Sequence, residues 1–353
     1  MQFEHPSSGR RLGVRIDDIV HDLTSAHAKI TRVTDAFAAA QESGESLQHY
    51  LDRLVGAAQG EAAQLEASQL LQNRRLAEGP TVRPPVDHAD HHRVLVAGTG
   101  LTHLGSMQSR DEMHAQAAAA ESAGAEDEDG KSDSKKMFEM GLRGGRPEPG
   151  SRGDAPEWFY KGNGAMLRGP YESLELPEFA LDGGEEPEIA GCYIVDGDGR
   201  PRRVGFALGN EWSDHATEKI NYLYLAPSKL RACAIGPELI LDDDFQSIEL
   251  GCTVTRDGES IYDSGTLVSG EQHMCHSLAN CEDHHFKYPQ HRVPGDVHVQ
   301  FFGTSKLSYG ERDWAYQAGD EIRIEAPQFS SPLVNSVVGG RAAEQRPVVV
   351  QGA

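Results

Sequence analysis

Three shortages bound what this chain can be. Cysteine is sparse, five in 353 residues, at 192, 233, 252, 275 and 281. An odd number confined to the second half does not make a secreted disulfide framework, so these read as reduced thiols. Positive charge is scarce as well: 33 Lys and Arg stand against 55 Asp and Glu, a formal charge of −22. That field repels phosphate backbones and anionic headgroups, which excludes nucleic acid and anionic membranes as expected partners. Long apolar runs are missing: nothing approaches the roughly 18 residues needed to span a bilayer. The start, Met1-Gln2-Phe3-Glu4-His5-Pro6, lacks a basic stretch followed by an apolar one. The expectation is a cytoplasmic protein without membrane attachment.

Glycine, 38 residues, and proline, 18, are abundant and concentrated after position 140, as expected for short strands joined by tight turns. Residues 1–90 read as a small mixed N-terminal domain. It opens with Leu12 to Ile16 and Ile19 to Leu23, followed by two amphipathic helices. In the second helix Leu47, Tyr50, Leu51, Leu54 and Val55 share one face. Pro84-Pro85 and the polar run to His92 read as a linker. Residues 91–353 form the larger domain. Arg93 to Thr102 is a buried strand entering a turn, and a polar helical segment follows it. Residues 120–136, with Glu126-Asp127-Glu128-Asp129, are too hydrophilic to pack and read as an exposed lid or a disordered loop. Strand and turn then alternate: 189–195, 204–209, 248–255 closed by Asp257-Gly258, 297–302 and 321–326. The fold class is α+β, a β-rich roll with a smaller N-terminal domain.

The most informative stretch runs from Glu185 to Asp214. Glu186 and Glu188 stand two apart at the head of a strand and so point to one face. If Asp196-Gly197-Asp198-Gly199 reverses the chain, facing residue numbers sum to about 398. Glu211 then lies within a residue or two of opposite the pair. Cross-strand neighbours are about 4.5 to 5.5 Å apart at Cβ, too close for three ionised carboxylates without a cation. Three hard oxygen donors suit Mg²⁺, with Mn²⁺ or Ca²⁺ as alternatives.

These residues resemble the fumarylacetoacetate hydrolase superfamily, whose metal site is an E-x-E pair followed after a hairpin by N-D-x-S. Here the counterparts are Glu186-Pro187-Glu188 and Asn210-Glu211-Trp212-Ser213. The third position is Glu where most members carry Asp, one methylene longer. The resemblance runs from about 93 to 340. It takes in Phe159-Tyr160-Lys161, Lys229 with Ile235-Gly236-Pro237, Gly303-Thr304-Ser305, Gly319-Asp320-Glu321-Ile322 and Leu333 to Val337. The segment Gly100-Leu101-Thr102-His103-Leu104-Gly105-Ser106 to Arg110-Asp111-Glu112 is similar to the sugar acid dehydratase branch, the 2-keto-3-deoxy-pentonate dehydratases.

The resemblance implies a β-rich roll, homodimeric or larger, acting on a small 2-keto acid. A metal ion held by Glu186, Glu188 and Glu211 polarises the keto oxygen and favours loss of a C3 proton, after which a C4 hydroxyl leaves and 2-ketoglutarate semialdehyde forms. On the same basis Glu112, Lys161 and Lys229 are the catalytic candidates, and Thr102, Ser106, Arg110 and Thr304 the substrate-binding ones. Arg110 suits a bidentate carboxylate contact. The runner-up reading is a hydrolase splitting a C–C bond in a 2,4-diketo acid of the acylpyruvate type. A second alternative is a sugar-acid-binding protein without catalysis. The Cys- and His-rich run 272–285 fits no standard zinc spacing, Cys275 and Cys281 being six apart, and is expected to form a helix and loop bordering the cleft.

Overall fold

The computed structural model describes residues 1–57, 62–108, 132–241, 244–340, 342, 344 and 347–353. Three sheets organise it. The first, of order β4-β3-β2-β1-β5, is antiparallel throughout and uses β1 (Gln2–His5), β2 (Gly9–Ile16), β3 (Ile19–Asp22), β4 (Ala63–Glu66) and β5 (Thr81–Arg83). The helices Val33–Ser43 and Leu47–Ala57 accompany it. In the second of these Leu51 and Leu54 are buried, with Leu47, Tyr50 and Val55 packed beside them, so the 3.6-residue spacing is the core-facing stripe.

The second sheet has seven strands in the order β7-β6-β16-β10-β11-β12-β8. They are β6 (Val94–Gly100), β7 (Glu157–Asn163), β8 (Leu167–Arg168), β10 (Pro187–Val195), β11 (Pro201–Asn210), β12 (Cys233–Ile235) and β16 (Val297–Phe301). The third sheet runs β14-β13-β17-β18-β9, with β15 (Leu267–Ser269) also on β13. Its strands are β9 (Leu174–Leu176), β13 (Ile248–Arg256), β14 (Glu259–Asp263), β17 (Glu321–Glu325) and β18 (Leu333–Gly339). The β13–β14 turn is Asp257-Gly258, both at positive φ, the backbone a two-residue hairpin requires.

Every residue of β10 is buried, so the strand sorts two cores. Ile189 and Tyr193 join Phe206, Leu208 and the third sheet on one side. Ala190, Cys192 and Ile194 join Ala207, Leu51 and Phe37 on the other. All five cysteines are buried and free. No helix among the described residues is long and apolar enough to cross a membrane.

Several sequence expectations need correction. The run 84–92 is pinned rather than loose. Val86 is fully buried, Gln2 donates to the Pro84 carbonyl at 2.8 Å, and Asp87 takes the Arg10 and Arg32 guanidinium groups. The stretch 120–136 falls mostly outside the described residues, but its end is helical: the helix Asp133–Gly144 is capped by the Ser132 hydroxyl, which accepts from the Lys135 N–H. The helix Leu278–Phe286 does not border the cleft described below. Phe286 stacks edge-on with Tyr193 at 5.2 Å and Cys281 is buried in the same core. Cys275 hydrogen-bonds through its thiol to the Leu101 carbonyl.

Buried imidazoles make the fold acid-sensitive. Burial lowers His103 to about 4 and His298 to about 3, the latter helped by His291. Below the ordinary imidazole value of about 6.5 the unfolded chain takes up protons that the folded chain refuses, so stability falls as pH drops towards 4. Each of the two contributes about 1.4 kcal/mol per pH unit in that window. Urea titrations from pH 7 to 5 are expected to show this decline, and His103→Gln to show a shallower one. An equally steep decline in that variant contradicts the assignment.

Candidate metal centre and cleft

The β10–β11 hairpin builds the site. Cα partners sum to 397 from Pro187↔Asn210 to Cys192↔Gly205, and to 396 beyond a bulge at Cys192/Tyr193. The expected sum of about 398 would set Glu211 opposite Pro187, on the far face; the turn alone gives 396, and the bulge raises it to 397, which brings Glu211 to the face of Glu186 and Glu188. Continued to the strand head, the register sets Glu211 opposite Glu186, and the Glu211 N–H donates to the Glu186 carbonyl at 3.1 Å. Glu186, Glu188 and Glu211 therefore share the face that carries Ala190 and Ala207 lower on the hairpin. All three are buried, and one carboxylate oxygen from each lies within 4.8 Å of the others. They form the only such group of potential metal ligands among the described residues.

Close approach is possible because β6 presents glycine. A Cβ on Gly98 would sit 2.3 Å from the Phe159 ring and 3.2 Å from Glu211 Oε2. Gly303, at φ +91°, brings its N–H to Glu188 Oε2 at 2.7 Å, and a Cβ there would collide with Thr102.

Two lysines face the three carboxylates. Lys229 Nζ contacts Glu186 Oε1, lies 3.3 Å from Glu211 Oε2 and stands 4.7 Å from the centre of the Phe159 ring. Lys161 Nζ lies 3.1 Å from Glu211 Oε1 and donates to the Trp212 carbonyl. Burial opposes charge on all of them, and the neighbours decide each outcome. For Glu186 the burial is overcome by Lys229 and His215, which hold it well below the usual carboxylate range. Glu188 is pushed well above that range by burial and then by Glu211 and Glu186. Glu211 is raised by burial and Glu186 despite both lysines. Burial lowers Lys161 although Glu211 is adjacent, whereas Glu186 and Glu211 outweigh burial and raise Lys229.

Three carboxylates against two ammonium groups leave one charge over, and Glu188 Oε1 is buried with no hydrogen-bond partner. A small divalent cation bound by hard oxygens fits both facts.

A cleft opens beside these groups, lined by Gly100, Leu101, Ser106, Glu186, His215, Glu218, Lys229, Gly303, Thr304, Leu307, Tyr309 and Gly310. Ser106 and Thr304 thus reach it, their hydroxyls donating to the His103 and Lys306 carbonyls at 2.8 and 2.7 Å. Thr102 does not: its fully buried hydroxyl donates to the Phe302 carbonyl at 2.7 Å and meets His103 Nδ1. The structure thus uses Thr102 to tie the end of β6 to β16, because the chain turns at Leu101, a residue at positive φ. Arg110 and Glu112 lie outside the described residues.

Sequence reading missed three groups. His215 Nε2 is 3.1 Å from Glu186 Oε1; its signal was the run Asn210 to His215, in which Asp214 caps the helix His215–Ile220. Glu218 follows one turn later and is buried. Tyr309 arrives on a loop and had no sequence signal; its ring lies 5.5 Å from that of His215.

No protein-family profile matches the chain. A curated relative from Haloferax volcanii, described as a probable 2-keto-3-deoxyxylonate dehydratase, is 29% identical over 189 residues, which is 52% of this chain and 61% of that protein. The matched region thus spans less than two thirds of that relative. Among solved structures, the apo form of 2-keto-3-deoxy-D-arabinonate dehydratase aligns over 98% of this chain and 100% of its own, with a TM-score of 0.65 and 16% identity. The chain has the fumarylacetoacetate hydrolase fold. The same arabinonate dehydratase complexed with magnesium and 2,5-dioxopentanoate superposes equally well, at a TM-score of 0.65 and 16% identity over 97% of this chain and all of that one. Maleylpyruvate hydrolase from Sphingobium sp. SYK-6, complexed with manganese(II) and pyruvate, gives 0.56 at 15% identity over 97% and 100%. The superfamily resemblance drawn from Glu186-Pro187-Glu188 and Asn210-Glu211-Trp212-Ser213, and its leaning to sugar acid dehydratases, agree with these likenesses.

Proposed function

We propose that the chain is a metal-dependent hydro-lyase that removes water from a 2-keto-3-deoxy sugar acid, a pentonate, giving 2,5-dioxopentanoate, which is 2-ketoglutarate semialdehyde. The observation that carries this reading is the buried group Glu186, Glu188 and Glu211, with its unspent Glu188 oxygen, beside a cleft that Glu186 and Lys229 line. The description of the Haloferax volcanii relative and the contents of the arabinonate dehydratase complex support it.

Glu186, Glu188 and Glu211 would hold Mg²⁺, or Mn²⁺ or Ca²⁺ in its place, and an ion there would supply Lewis acidity towards a 2-keto acid as charge develops on loss of the C3 proton. Lys161 is fully buried outside the cleft lining and acts through Glu211 and the Trp212 carbonyl, which its Nζ holds in place. Lys229 stays charged and orients Glu186 and Glu211. Ser106 and Thr304 line the cleft with their hydroxyl protons held by the His103 and Lys306 carbonyls, so they offer the substrate acceptor oxygens; Arg110 takes its carboxylate, and Glu112 serves as acid or base for C3 and the C4 hydroxyl. The C3 proton and the C4 hydroxyl leave as water, and tautomerisation completes the product.

Homodimeric or larger assembly and a cytoplasmic location belong to the same proposal. Ile220, at the end of the helix His215–Ile220, and Leu223 and Leu230 after it are more than half exposed and provide apolar area for a second copy.

Purified protein with Mg²⁺ is expected to convert 2-keto-3-deoxy-pentonate to semialdehyde, to leave acylpyruvate intact, and to stop on addition of EDTA. Pyruvate released from acylpyruvate would move the assignment to the hydrolase. Ligand-induced stabilisation with no product from either compound would move it to the binding protein.

A further inference from the structure

The acidic segment that supplies Glu186 and Glu188 also holds the loop that walls the cleft. At one end of that loop the Gly303 N–H donates to Glu188 Oε2. Five residues on, Ser308 is fully buried and donates twice to Glu185, from its N–H to Oε1 at 2.6 Å and from its hydroxyl to Oε2 at 2.7 Å. The Tyr316 hydroxyl donates a third bond to Glu185 Oε2 at 2.6 Å. Arg312 is held by Asp182 and the Gly183 carbonyl at 2.7 and 2.6 Å, and the Tyr316 N–H by Asp182. Between the anchors at 303 and 308 lie Thr304 and Leu307, with Tyr309 immediately after, and all three line the cleft.

Glu185 is fully buried and does not line the cleft. Its three hydrogen bonds all come from residues 308–316, so a displaced loop strands this carboxylate away from water and its donors, a costly state. We infer that Glu185 is a positioning residue that fixes the wall Thr304–Tyr309, and through it the part of the bound substrate remote from the three metal-binding carboxylates. This rests on the functional reading above for what the cleft binds, though not for the anchoring itself. Neighbouring residues thereby divide two tasks: Glu186 and Glu188 face the ion, and Glu185 faces away from it into the loop.

The test uses the full chain with Mn²⁺ and compares pyruvate, which reaches only the metal end, with the five-carbon acid. In Glu185→Gln the carboxamide keeps one acceptor oxygen but turns an NH₂ towards donors. The affinity for pyruvate is expected to stay within about twofold while KM for 2-keto-3-deoxy-pentonate rises about tenfold with kcat within about threefold, because wall contacts act mainly on binding. Tyr316→Phe, which removes one donor and keeps the ring, is expected to move KM the same way by about threefold. Equal loss for both ligands, or an unchanged KM in both variants, overturns the assignment. Amide hydrogen exchange gives the readout that does not depend on substrate: exchange across 303–310 rises in both variants if Glu185 holds the loop, and unchanged exchange overturns it. Should the parent protein bind neither acid, the functional reading falls and the exchange result alone decides the anchoring.

Discussion

Replacing Glu188 by glutamine is expected to leave the metal-free protein about as stable as the parent while removing its response to divalent cations. Glu188 is buried, held well above the usual carboxylate range by burial and by Glu211 and Glu186, and one of its oxygens is unpartnered. Without an ion this carboxyl is a liability, and a carboxamide still accepts the Gly303 N–H. The melting temperature of the metal-free variant should therefore stay within about 2 °C of the parent or exceed it. With Mn²⁺ at about 100 times the dissociation constant the parent gains about 2.7 kcal/mol, and the variant gains far less. Turnover in Mg²⁺ should fall about a thousandfold, equivalent to about 4 kcal/mol of lost charge stabilisation. Thermal melts with and without Mn²⁺ check the crossing; a variant that still gains as much from Mn²⁺ as the parent contradicts it.

Lys229→Met has the opposite signature. Its ammonium is enclosed by Glu186, Glu211 and the Phe159 ring, so removing it leaves buried Glu186 without its nearest cation and Glu211 with Lys161 alone. Breaking a buried pair in this way costs about 3 to 5 kcal/mol. Turnover should fall by about two to four orders of magnitude. Divalent cations should restore part of the stability, since an ion substitutes for the missing charge, but little of the activity. Lys229→Arg is not expected to rescue, because a planar fork does not fit where a compact ammonium is enclosed. Urea titration in EDTA and in Mn²⁺ measures both effects, and a Met variant as stable as the parent in EDTA contradicts the pairing.

The parts of this site that local rules control were legible in the sequence. Alternation along Pro187 to Val195 placed Glu186 and Glu188 on one face, and the Asp/Gly-rich reversal near 198 brought Glu211 to within a residue of them; the bulge at Cys192/Tyr193, by shifting the register one residue, is what turns Glu211 to that same face. The Asp257-Gly258 turn was equally readable, since few residues accept positive φ twice in succession.

Elements whose place depends on distant partners were not legible. Pro84-Pro85 signals a break in hydrogen-bonded structure but says nothing of Arg10 and Arg32, which close on Asp87 from other elements. Thr102 read as a substrate-binding residue at a strand end, and only the position of β16 shows that its hydroxyl donates to the Phe302 carbonyl instead. Glu185 and Tyr309 were invisible for a similar reason: the loop 303–316 reaches the head of β10 through tertiary contacts more than 100 residues away along the chain.

The central claim is that Glu186, Glu188 and Glu211 grip one divalent cation. Anomalous diffraction from crystals grown with Mn²⁺ and pyruvate tests it most directly. The account predicts one strong Mn²⁺ peak coordinated by an oxygen from each of the three carboxylates, with pyruvate completing its shell. No peak there, or a peak elsewhere with Lys229 still seated between Glu186 and Glu211, would contradict it.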